Sequence, residues 1–145
     1  MPGIHHTAIV TADLERSMRF WRDGLGLAQL FDHAFEGDWP TLFNARTGRL
    51  RSIFLGDPRT PDTGIVELVQ FEGAAPGAAI DEPAFGFFLV SLERDVDATL
   101  GALAGLGFDD DVSRIEMPAP DGKKVAMAVI TAPDGVRVEL IGPPQ

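Results

Sequence analysis

"HHTAIVTADLERSMRFWRDGLGL" (residues 5–27) and "FFLVSLERDVDATLGALAGLGF" (residues 87–108) follow one plan. Each opens on an apolar stretch that reads as a strand, near 4–11 and 86–92. Each then sets an aspartate, Asp13 or Asp95, before a helical pattern. Leu14, Met18, Trp21 and Leu25 recur at helical spacing in the first copy, and Val96, Leu100 and Leu103 in the second. The aspartates suit N-caps, because a carboxylate accepts from amides of the first turn that have no partner in the helix. Both patterns stop at Gly-Leu-Gly, which ends a helix. Helices are therefore expected near 13–24 and 95–105.

Outward from these segments each copy reads as strands. In the first they fall near 28–36, 41–46, 50–55 and 64–71, the short second one also reading as loop. In the second they fall near 111–117, 124–131 and 135–141, separated by "PAPDG" and "APDG". The linker "EGAAPGAAIDEPA" (72–84) has few strand or helix signals. The chain is thus expected to be α+β, one domain over 1–145 built from two βαβββ modules, 3–72 and 83–143. The last strands, "GIVELVQF" and "GVRVELIGPP", each carry a glutamate before a leucine, Glu67 and Glu139. The carboxylate is written twice because the module is written twice.

Composition narrows the function. A chain of 145 residues with a net charge of −10 lacks the basic footprint that nucleic acid requires. No apolar run approaches membrane-spanning length, and the N-terminus "MPGIHHTAIV" does not read as a signal peptide. There is no cysteine, hence no disulfide framework and no thiolate site. A cytoplasmic location is the expectation.

A carboxylate in an apolar strand is costly unless something pairs with it. Glu67 shares its face with Ile65, Val69 and Phe71, as an inward group would. Glu139 shares its face with Arg137 and Ile141, which equally suits an ion pair on a wetted face. Two inward carboxylates would repel unless a cation stood between them. His6, on the first strand, would complete a set of one nitrogen and two oxygens around a divalent ion. Three protein ligands leave positions open for substrate. The set does not choose among zinc, nickel, manganese and iron.

Paired βαβββ modules, with the Asp-helix-Gly-Leu-Gly segment and the two glutamate strands, resemble the vicinal oxygen chelate superfamily. That superfamily includes glyoxalase I, methylmalonyl-CoA epimerase, extradiol dioxygenases and bleomycin-resistance proteins. The resemblance implies a curved half-barrel trough of two half-sheets. It implies metal ligands on the first and last strand of each module: His6, Glu67, a residue near Phe87, and Glu139. Phe87 departs from that pattern, since a histidine is usual there. Extradiol dioxygenases need two histidines and a carboxylate, which this chain supplies only if His5 or His33 joins. Glyoxalase-like and epimerase-like chemistry loses one ligand of four. A homodimer is common among such proteins.

The first copy holds ten more residues than the second between helix stop and last strand, around "HAFEGDWPTLFNARTGRLRS". A longer connection in a small domain is often functional. His33, Trp39, Phe43 and Arg51 are therefore expected to border a pocket for a small molecule, with Phe87 as a further wall. The leading expectation is a metal-dependent lyase or isomerase that polarises an oxygen-chelating substrate, with Glu139 or Glu67 moving the proton. The alternative is a metal-free protein that sequesters an antibiotic or metabolite.

Overall fold

Eight strands and three α-helices make up residues 3–73 and 86–145, which the computed structural model describes. Residues 74–84 of the expected linker lie outside them. The chain divides into two compact units, Met1–Ala78 and Ala79–Gln145.

In the first unit β1 (His6–Val10) leads into α1 (Leu14–Met18), followed by β2 (Ala28–Glu36), α2 (Trp39–Phe43), β3 (Arg49–Gly56) and β4 (Ile65–Phe71). The sheet order is β1-β4-β3-β2, with β1 parallel to β4 and the other pairs antiparallel. In the second unit β5 (Leu89–Glu93) leads into α3 (Val96–Gly105), then β6 (Ser113–Pro118), β7 (Lys124–Thr131) and β8 (Arg137–Ile141). Its order, β5-β8-β7-β6, repeats the first with the same parallel pair. Both sheets are open, and the fold is α+β with two copies of one module.

The helix starts follow from the caps. Asp13 accepts from the Arg16 amide and Asp95 from the Ala98 amide. Past Met18 the first helix widens into a π-helical segment, Arg19–Gly24, in which the Leu25 amide reaches back to the Phe20 carbonyl. Uniform helical spacing did not anticipate this. The widened turn buries two adjacent aromatics, Phe20 and Trp21, completely. Gly26, at φ +74°, takes the left-handed turn that ends the segment.

One face of the first sheet packs on α1, and alternation assigns the residues. Ile9, Ile53, Leu55, Val66 and Leu68 are buried there with Leu14 and Met18. The opposite face carries His6, Ala8, Ser52, Glu67 and Val69. The strand-or-loop expected at 41–46 is instead α2. Asp38 caps it through the Thr41 amide, Pro40 sits in its first turn, and Asn44 closes it in a left-handed conformation. Met117 is exposed on β6, the edge strand of the second sheet.

Candidate active site

Glu67 lies opposite Ala8 on β1 and Phe54 on β3. Ser52 Oγ donates to Glu67 Oε2 at 2.5 Å, and His6 Nε2 stands 3.5 Å from Oε1. Ser52 is itself buried. These two neighbours answer the cost of a carboxylate in an apolar strand. His6 is oriented in turn, since its Nδ1 shares a hydrogen bond of 2.8 Å with His5 Nδ1. Phe54 packs against both imidazoles.

His6, Ser52 and Glu67 line a cavity of about 830 Å³ within the first unit. Its walls are apolar: Val10, Leu50 and Val69 from the strands, with Phe71 and Phe35. From α2, Trp39 and Phe43 stack with centroids 5.6 Å apart and planes 18° from parallel. Phe71 meets Phe43 edge-on at 6.3 Å. The rim carries Arg46 and Glu72.

The other expected residues are placed as follows. His33 pairs across from Ser52 in the β2–β3 ladder, which puts it on the same sheet face, but its ring lies between Phe31 and Phe35. Arg51, expected at the pocket, is not among the residues lining this cavity. It is one position from Ser52, so it points to the opposite face. There it makes a two-bond pair with Asp32, at 2.9 and 2.7 Å. That pairing holds the Asp32 carboxyl below its ordinary range and raises Arg51.

In the second unit Glu139 lies opposite Ser91, whose Oγ donates to Oε1 at 2.8 Å. Each repeated glutamate thus has a serine donor, Ser52 or Ser91, that the sequence reading missed. Phe87 is well exposed, ahead of β5. Ladder register also moves the position expected there: Ala8 faces Glu67 and Ser91 faces Glu139, so the counterpart of His6 is Leu89. Leucine ligates nothing, so the departure from the four-ligand pattern stands at a different residue. Among the described residues no three His, Asp or Glu side chains gather as a metal-holding group. No helix among them is long and apolar enough to cross a membrane.

A family described as the Glyoxalase/Bleomycin resistance protein/Dioxygenase superfamily matches residues 3–140. The chain belongs to this superfamily. The lactoylglutathione lyase-like protein terB of Aspergillus terreus (strain NIH 2624 / FGSC A1156) is 33% identical over 149 residues, spanning 98% of this chain and 76% of that one. Among solved structures, a glyoxalase family protein from Bacillus cereus superposes with a TM-score of 0.71 at 17% identity, covering 98% of this chain and 94% of that one. The Leishmania major glyoxalase I gives 0.63 at 23% identity, covering 98% and 87%. The last two similarities are of fold. The first ties this glyoxalase-superfamily chain to a lyase-like relative.

Proposed function

We propose that the chain is a lyase- or isomerase-type enzyme that moves a proton on the carbon beside a carbonyl, with Glu67 as the base. The observation that carries this is the hydrogen-bonded carboxylate at the floor of an apolar cavity. Ser52 occupies Oε2, which leaves Oε1 turned toward His6 and the cavity. A substrate with adjacent oxygens places them at His6 and its carbon acid at Oε1. Glu67 takes the proton and returns it to the neighbouring carbon, while the hydroxyl proton passes to the former carbonyl oxygen. The apolar walls exclude water and strengthen each polar contact inside.

The donor pair also fits a divalent metal. Two ligand atoms each about 2.1 Å from a tetrahedrally coordinated ion are about 3.4 Å apart. His6 Nε2 and Glu67 Oε1 stand at 3.5 Å. Zinc, nickel, manganese and iron all accept one imidazole and one carboxylate. When bound, the ion supplies Lewis acid stabilisation of the developing enediolate.

The test is hydrogen exchange from α-hydroxyketones in D2O, followed by NMR with and without added metal. Wild type exchanges the protons beside the carbonyl, and Glu67→Gln slows this by about 100-fold or more. Absence of exchange by wild type, with each of the four metals, would overturn the reading. A second reading, a metal-free protein that sequesters an apolar compound, is favoured by Leu89 at the position equivalent to His6. It expects ligand binding without exchange, unaffected by Glu67→Gln.

A further inference from the structure

We infer that the cavity takes a neutral aryl hydroxyketone, a planar ring bearing adjacent oxygens, rather than an anionic thiol-peptide conjugate. This rests on the proton-transfer reading and names its substrate class. The first observation is the aromatic wall. Phe43 is 54% exposed, although it stacks on Trp39 and meets Phe71. Aromatic surface of that extent on a cavity wall is available to a third ring, which gains by stacking beyond simple burial. Phe20 and Trp21, which serve the core, are wholly buried by contrast.

The second observation is how Trp39 is held. Its indole Nε1 is out of water and has no hydrogen-bond partner among the described residues. The ring is positioned by stacking on Phe43 and by lying against Gly37, where any added Cβ would come within 2.8 Å of it. Glycine at 37 makes room for the indole to lie there. Stacking and this close fit, rather than a hydrogen bond from a described residue, present the flat ring beside the cavity.

The third observation is charge. Among the described lining residues one guanidinium, Arg46, stands against two carboxylates, Glu67 and Glu72, in a chain of net charge −10. Glu72 is shared with Arg49, 3.9 Å away, so a ligand with carboxylates of its own would meet repulsion chiefly at the floor, from Glu67. A neutral ring meets none, and its oxygens still have His6 and Ser52. A cavity of about 830 Å³ is ample for such a compound.

A matched pair of probes isolates the ring. 2-Hydroxy-1-phenylethanone and hydroxyacetone carry the same adjacent oxygens and differ in phenyl against methyl. S-lactoylglutathione supplies the anionic thiol-peptide conjugate. Calorimetric titration of wild type is expected to show the phenyl compound binding at least about tenfold more tightly than hydroxyacetone. S-lactoylglutathione is expected to bind no more tightly than hydroxyacetone. Phe43→Ala should erase most of the phenyl preference and leave hydroxyacetone within about twofold. Phe43 is half outside the fold already, so this variant keeps its melting temperature, and Trp39→Ala is the companion. Equal affinity for the two ketones, tighter binding of S-lactoylglutathione, or no binding of the phenyl compound would overturn the inference. Glu67-dependent exchange without phenyl preference removes this inference and keeps the proton-transfer reading. Phenyl preference without exchange keeps the aromatic ligand and removes the proton transfer.

Discussion

Two serines, Ser52 and Ser91, donate to Glu67 and Glu139, yet their settings differ. Ser52 is 2% exposed, whereas Ser91 is open to solvent. Losing a donor to a secluded carboxylate costs more than losing one that water can replace. Ser52→Ala is therefore expected to lower stability by about 1–3 kcal/mol in urea denaturation, and Ser91→Ala by well under 1 kcal/mol. Equal losses would show that burial of the serine does not set the cost. His6 and Glu67 could be picked from the sequence because imidazoles and strand carboxylates are rare and conspicuous. Ser52 could not, since its meaning depends on which β4 residue lies diagonally across the ladder. Arg51 shows the same limit: whether it or Ser52 faces the cavity turns on one residue of parity. Phe87 was read in place of Leu89 because two phenylalanines precede β5 and hide where the ladder begins.

At the scale of elements, each βαβββ order was legible from the capped helices and turn clusters. Asp95→Ala is expected to cost about 1 kcal/mol, seen as a lower denaturation midpoint with an unchanged slope. A changed slope would mean more than a lost cap. The "DWP" start of α2 carried a readable signal, cap aspartate and first-turn proline, but four residues to Asn44 are too few to show periodicity. The π-helical turn left no signal in the helical spacing, which continues through Trp21 and Leu25. The turn between β3 and β4 makes a pH prediction. Arg59 bonds Asp57 and holds its carboxyl down at about 2, against an ordinary 3.8. A depressed carboxyl contributes stability above its unfolded value and loses it as pH falls through the folded one. Asp57→Asn should thus melt below wild type at pH 6, with the gap closing between about pH 4 and 2. Because Arg59 is open to solvent and Asp57 partly so, the gap should also shrink in high salt. A gap that persists at pH 2 would assign the effect to the turn's backbone instead.

At the scale of the whole chain, the repeat raises one question about chemistry: whether both copies of the glutamate serve one reaction. Duplication alone would leave Glu139 an inherited surface residue, tied to Ser91 and near Arg137 on its strand. If it is the third ligand, its loss must be felt by the chemistry assigned to Glu67. The comparison of single and double variants decides this. Groups that act as a unit show strongly non-additive losses, because once one is gone the other has little left to contribute. Glu67→Gln is expected to cut metal-stimulated exchange by about 100-fold or more; if Glu139 acts with it, Glu139→Gln does the same and the double variant is scarcely worse. Glu67→Gln should also lose the rise in melting temperature that manganese or zinc gives wild type, as linkage requires of a ligand bound only to the folded state. The metal's affinity should fall as pH is lowered, since protons compete for imidazole and carboxylate alike. If Glu139→Gln leaves both exchange and metal-induced stabilisation intact, the chemistry belongs to the first unit alone. His6, Ser52 and Glu67 would then be its whole polar machinery, with Glu139 a relic of the repeat.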